Sequence, residues 1–130
     1  MQPQMRADER RLNSVTQAII GCAYKVSNEM GAGFLEKVYE NALAVELRSN
    51  GWIVAQQQPI AHYRGQVVGE YVADLVVAGE VLVELKACKS LDEIHMAQGL
   101  NYLKATGFHV CLLINFGRSR IEIKRIVREL

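Results

Sequence analysis

The sequence predicts an α/β fold, a mixed central sheet flanked by helices with its elements in the order ααβββαββ. Three observations carry this. Two early stretches repeat apolar residues at helical spacing, and a long stretch after Trp52 is rich in β-branched and aromatic residues. A capped helix then separates that stretch from FHVCLLIN, a continuous apolar run typical of a strand buried on both faces. A strand, a helix and a buried strand in succession imply a crossover and at least one parallel pair. With 130 residues, half of them hydrophobic, the chain can build one core. Residues 1–11 read as a polar N-terminal arm and residues 12–130 as a single domain.

After the arm, Asn13 or Ser14 can cap a helix in which Val15, Ile19, Cys22, Ala23, Val26 and Met30 recur on one side, ended by Gly31 and Gly33. The second helix runs from Phe34 to about Asn50, where Asn50-Gly51 closes it. At about 100° per residue its apolar arc takes in Phe34, Val45, Val38, Ala42, Leu35, Tyr39, Leu43 and Leu47. Glu36 falls at the edge of that arc on the side of Tyr39, and Glu46 falls inside it. For either acid a solvated helix edge is the ordinary explanation.

From Trp52 to Ala78 the pattern is β, with Arg64-Gly65 as a turn between two runs, His62 and Tyr63 beside it, and Gly69 as a candidate bulge. Together with Val81 to Lys86 this makes a meander of about three strands. In VLVELK, strand alternation sends Val81, Val83 and Leu85 to one face, and Leu82, Glu84 and Lys86 to the other. The preceding EYVADLVVA carries Asp74 among apolar residues. If Ala78-Gly79-Glu80 links the two strands, Asp74 lies opposite Glu84; a two-residue turn would put Leu85 there instead. Two carboxylates and a lysine then share one face of strands otherwise apolar enough to be core. Such groups must neutralise one another, change protonation or hold a cation. A structural Asp–Lys or Glu–Lys pair is the plain alternative.

Ser90-Leu91-Asp92-Glu93 has the form of a capping box, opening a third helix that ends at Gly107. Met96, Leu100 and Leu103 form its apolar face. His95, Gln98 and Tyr102 lie on another stripe, within about 60° of one another, and could serve a helix–sheet hydrogen-bond network or a site. Basic residues gather at the end: Arg118, Arg120, Lys124, Arg125 and Arg128. They suit a charged edge guarding the last strand or a phosphate-contacting rim.

Composition narrows the function classes. Fifteen basic against fourteen acidic residues give a net charge of +1, so no strongly basic surface announces nucleic acid. Cys22, Cys88 and Cys111 are odd in number and widely separated, which argues against a disulfide framework, a zinc knuckle or an iron–sulfur cluster. The polar first dozen residues lack the apolar run of a secretion signal, and no stretch approaches membrane-spanning length. A cytoplasmic protein without membrane contact is the expectation.

These residues bring out a resemblance. Gly33-Phe34-Leu35-Glu36-Lys37-Val38-Tyr39, Asp74, Glu84-Leu85-Lys86 and Gln98 to Tyr102 fall in order on a helix, two strands and a helix. From about Leu12 to its C-terminus the chain resembles the small bacterial and archaeal GxxExxY proteins, a RecB-like branch of the PD-(D/E)XK nuclease superfamily. Ala73 stands where the superfamily's name has proline. The resemblance implies a restriction-endonuclease-like αβββαβ core and metal-dependent hydrolysis of phosphodiester bonds in nucleic acid, DNA ahead of RNA. It implies that Asp74 and Glu84 hold Mg²⁺ or Mn²⁺ with the Leu85 carbonyl, with Glu36 as a third acid. Lys86 would position or activate the attacking water. Gln98, Tyr102, His95 and Tyr39 would contact substrate or support the lysine. A homodimer, two sites addressing two strands, is compatible with this reading. The competing class is a non-cleaving nucleic-acid-binding or regulatory module that keeps the fold.

Overall fold

The computed structural model of the chain describes residues 3–59, 62–64, 66–67 and 72–128. Three helices and seven strands are seen among them: α1 (Pro3–Met30), α2 (Glu36–Ser49), β1 (Val54–Pro59), β2 (His62–Tyr63), β3 (Gln66–Val67), β4 (Val72–Val77), β5 (Val81–Lys86), α3 (Glu93–Thr106), β6 (Val110–Asn115) and β7 (Glu122–Val127). Five strands form one sheet in the order β1-β4-β5-β6-β7, and β2 pairs with β3 in a second, two-stranded sheet. The β5–β6 pair is parallel and the other neighbours in the large sheet are antiparallel. The expected mixed sheet and its crossover through α3 are therefore present. The large sheet has the three-strand meander of β1, β4 and β5, and the small β2–β3 hairpin between β1 and β4 is an addition to it.

The first helix buries Leu12, Val15, Ile19, Cys22, Ala23 and Val26 against α2 and the sheet, the stripe its spacing demands. It does not begin at Asn13 or Ser14. The helix already runs from Pro3, so the residues read as a polar arm are helical from that point, and lack of an apolar period hid them. No helix among the described residues is long and apolar enough to cross a membrane.

The second helix is rotated relative to its predicted wheel. Its buried residues are Tyr39, Glu40, Leu43, Ala44 and Leu47, whereas Phe34, Leu35, Val38 and Val45 are exposed. Four apolar residues that face solvent had pulled the arc toward themselves. Leu43 and Leu47 are fully enclosed in the core, each contributing about 2 kcal/mol by burial.

In the β4–β5 hairpin the link is Ala78-Gly79-Glu80, with Leu75 opposite Val83 and Val77 opposite Val81, the register of the three-residue turn. Gly79 sits at φ +66°, where a Cβ would be strained. Every residue of β6 is buried, as its unbroken apolar run requires. The opposite face of the sheet carries α3, whose Tyr102 and Leu103 pack with Ala73, Leu82, Cys111, Leu113 and Ile126. The cap of α3 is Asp92, not Ser90: its Oδ1 accepts from the N–H groups of Ile94 and His95. Gly65 and Gly69, read as turn and bulge, lie outside the described residues, as do the side chains of His62 and Tyr63.

Candidate active site at the split between two strands

The β4–β5 ladder stops after Leu75 and Val83, yet both strands continue. β4 extends back to Val72 against β1, and β5 runs on to Lys86 against β6. The sheet splits there, leaving the Leu85 N–H with no strand partner on the β4 side. A buried donor of this kind must be satisfied. Asp74 does so, its Oδ2 accepting from Leu85 N at 2.8 Å, while Asp74 N–H donates to Glu84 Oε1 at 3.4 Å. The two acids that alternation placed on one face are thus locked together across the gap.

Glu84 is buried, with 5% of its surface exposed, and Asp74 is half-buried beside it. Burial pushes the Glu84 carboxyl up to about 8, and the neighbouring Asp74 charge adds to the effect while Lys86 opposes it. Burial also raises Asp74, opposed first by the Leu85 N–H and reinforced by Glu40. Burial thus holds both carboxyl groups toward their protonated forms. Lys86 is close enough for its charge to act on both.

Asp74 opens onto a cleft of about 590 Å³ lined also by Phe34, Glu36, Lys37, Glu40 and Gln57. Neither Glu40 nor Gln57 stands out in the sequence, and both are central here. Glu40 is 3% exposed, and it accepts from Gln57 Nε2 at 2.6 Å, Gln56 Nε2 at 2.7 Å and Lys37 Nζ at 3.0 Å. Gln57 Nε2 also donates to Asp74 Oδ1 at 3.3 Å. The only signal for Glu40 was its place beside Tyr39, one step round the helix; its glutamine partners come from a strand sixteen and seventeen residues further on.

The other expected site residues divide. Glu36 lines the same cleft but is exposed, at the first position of α2. Glu46 is at the far end of that helix, bonded to Lys25 and Asn50. Tyr39 is fully buried: its hydroxyl donates to Gly31 O at 2.6 Å and accepts from Phe34 N, and its ring stacks on Phe116 at 4.6 Å. It braces the α1–α2 turn. His95 Nδ1 accepts from Asp92 N–H and completes the α3 cap. Tyr102 packs in one cluster with Ala73 and Leu82, and Gln98 is partly exposed on the same helix. In the C-terminal basic cluster, Arg118 pairs with Glu122 and Arg125 donates to Asn13.

The donor set fits a hard divalent cation. Mg²⁺ and Mn²⁺ bind through one or two carboxylates and keep several waters and substrate oxygens. Asp74 and Glu84 supply two such groups, held side by side across the split. Among the described residues, no cluster of three His, Cys, Asp or Glu side chains forms a ready-made metal cage. The remaining ligands would have to come from backbone, water or substrate.

Comparison with known proteins agrees with this fold. Residues 13–126 match the model of the PD-(D/E)XK nuclease superfamily. The fold is similar to the crystal structure of an alkaline exonuclease (LHK-Exo) from Laribacter hongkongensis, with a TM-score of 0.52 and 17% sequence identity over 72% of this chain. The match covers 56% of that protein, so this chain spans little more than half of it, and at such identity the likeness speaks for the fold. No curated protein matches significantly.

Proposed function

The chain belongs to the PD-(D/E)XK nuclease superfamily, and from that premise we propose that it is a metal-dependent phosphodiesterase acting on nucleic acid, DNA ahead of RNA. One observation carries the reading: buried Glu84 and half-buried Asp74, from neighbouring strands, are held together beside a cleft that Asp74 lines, with a lysine charge acting on both. A structural ion pair would match one acid to one amine. Here acids outnumber amines, since Glu36, Glu40, Asp74 and Glu84 face Lys37 and Lys86, and Lys37 is already bound to Glu40.

Asp74 and Glu84 would hold Mg²⁺ or Mn²⁺, with the Leu85 carbonyl and waters as further ligands. The ion supplies charge to stabilise the phosphate as it is attacked. The Leu85 N–H fixes Asp74 against the split strand and orients its carboxylate. Lys86, at the end of β5, positions the attacking water and offsets negative charge on the phosphate. Glu36, exposed on the rim, faces incoming substrate. Gln98 and Tyr102 on α3 support the sheet face behind the acids. Gly33, Glu36 and Tyr39 match the GxxExxY pattern and support a place in that branch.

Purified protein with Mg²⁺ or Mn²⁺ should cut one of a panel of single- and double-stranded DNA and RNA, and Glu84→Gln or Lys86→Ala should abolish cutting. Cleavage that survives in both variants would refute the proposal. Mn²⁺ binding through Asp74 and Glu84 without cleavage of any substrate would mark the non-cleaving module instead.

A further inference from the structure

Gln57 lies in β1, at the edge of the large sheet, with φ +53°, a backbone region that glutamine rarely adopts. The ladder to β4 steps over it, pairing Gln56 with Leu75 and Gln58 with Ala73. Strained residues of this kind persist only where the surroundings hold them. Here the holding contacts are two carboxylates: Nε2 donates to Glu40 Oε1 at 2.6 Å and to Asp74 Oδ1 at 3.3 Å. Carboxylate oxygens accept, so the amide presents its NH₂ to both. Glu40 is in turn immobilised by Gln56 and Lys37.

We infer that Gln57 is a positioning residue: anchored on Glu40, its amide clamps Asp74 in the orientation that a divalent cation requires. This rests on the proposed function and deepens it. With Leu85 N–H on Oδ2 and Gln57 on Oδ1, the Asp74 carboxylate cannot turn about its Cβ–Cγ bond. Each oxygen keeps a lone pair for a cation beside Glu84. Outer partners of metal ligands act in this way, and their loss typically weakens metal binding 10–100-fold.

The test is Mn²⁺ affinity, read by electron paramagnetic resonance or calorimetry on the whole chain. Gln57→Gly keeps the backbone conformation without strain and removes the amide; it should retain the melting temperature and weaken Mn²⁺ binding about 10–100-fold. Glu40→Ala reads the same clamp from the helix side, and Glu40→Gln, which keeps an acceptor for Gln57, should restore most of the affinity. The double variant Glu40→Ala/Gln57→Gly should bind no more weakly than the poorer single variant, as expected for one shared unit. Wild-type affinity in Gln57→Gly, with binding lost in Glu84→Gln, would overturn the clamp and leave the proposed function standing. No Mn²⁺ binding by the wild type would overturn both.

Discussion

Two buried polar networks flank the C-terminal end of β5, and they are opposites in chemistry. On the β6 side, Asn115 is wholly enclosed and fully matched. Its Oδ1 accepts from Cys88 N and Gly117 N, and its Nδ2 donates to Cys88 O and Glu122 Oε1. Glu122 in turn accepts from Leu91 N–H, which lowers its pKa. Donors and acceptors balance, so this network asks for nothing from outside. On the β4 side, Asp74 and Glu84 crowd acceptors together, and burial pushes both carboxyl groups up. Burial of polar groups is common to both; only the mismatch of acceptors over donors marks a place for a cation. The balanced network ties down the chain that leaves β5, and the unbalanced one faces the cleft.

That contrast breaks first at Asn115. Asn115→Ala would strand the Cys88 N–H, the Cys88 carbonyl and the Gly117 N–H, and should cost about 3–5 kcal/mol of stability in a urea titration. Glu84→Gln should cost nothing in metal-free protein at pH 8 and can raise stability, because it removes an expensive buried charge. Equal losses in the two variants would mean that the networks do not differ in kind.

A smaller effect is expected at Gly117, where a Cβ would lie 2.7 Å from the Ala87 carbonyl carbon and closer still to the Cys88 backbone. Gly117→Ala forces that loop away and should cost about 2–3 kcal/mol, within the range for overpacking, seen as a lower melting temperature. Because the loop follows Lys86 directly, the same variant should also reduce turnover.

The pH dependence tests the unbalanced side. Glu84 stands at about 8 in the folded protein against an ordinary 4.5, so between those values the folded state keeps a proton that the unfolded chain has lost. Stability of the metal-free protein should therefore be greatest below this window and fall as pH rises through it, by at most about 1.4 kcal/mol per pH unit for this group. Asp74, also raised, acts in the same direction. Glu84→Gln should flatten the slope, and wild-type Mn²⁺ affinity should rise with pH as the ion displaces the proton. A wild-type profile that matches Glu84→Gln from pH 5 to 8 would contradict the raised Glu84 carboxyl.

Much of this was legible before any coordinates. Period-two alternation placed Glu84 and Lys86 on one face, and the Ala78-Gly79-Glu80 link set the hairpin register that brings Asp74 to them. The α1 stripe and the doubly buried β6 followed from periodicity alone. The split of β4 from β5 was not legible, because it depends on β1 and β6 each holding one strand. Gln57 escaped notice because nothing in Gln56-Gln57-Gln58 marks the middle residue for a left-handed backbone. Glu40 escaped because Phe34, Leu35, Val38 and Val45, apolar but exposed, turned the predicted wheel away from it.

The smallest expected effect separates the two acids of α2. Glu36 sits exposed at the helix N-terminus, where its charge favours the helix dipole, a contribution of about 0.5 kcal/mol. Glu36→Gln should therefore lower stability by roughly that amount and change Mn²⁺ affinity less than about threefold, since screening by water weakens an exposed charge. Glu40, enclosed and bonded to the partner of Asp74, has no such insulation. If the family motif rather than burial decides which α2 acid serves the ion, the order reverses: Glu36→Gln would lose Mn²⁺ and Glu40→Ala would retain it. The comparison of the two variants thus decides whether the acid named by sequence pattern or the one selected by packing completes the site.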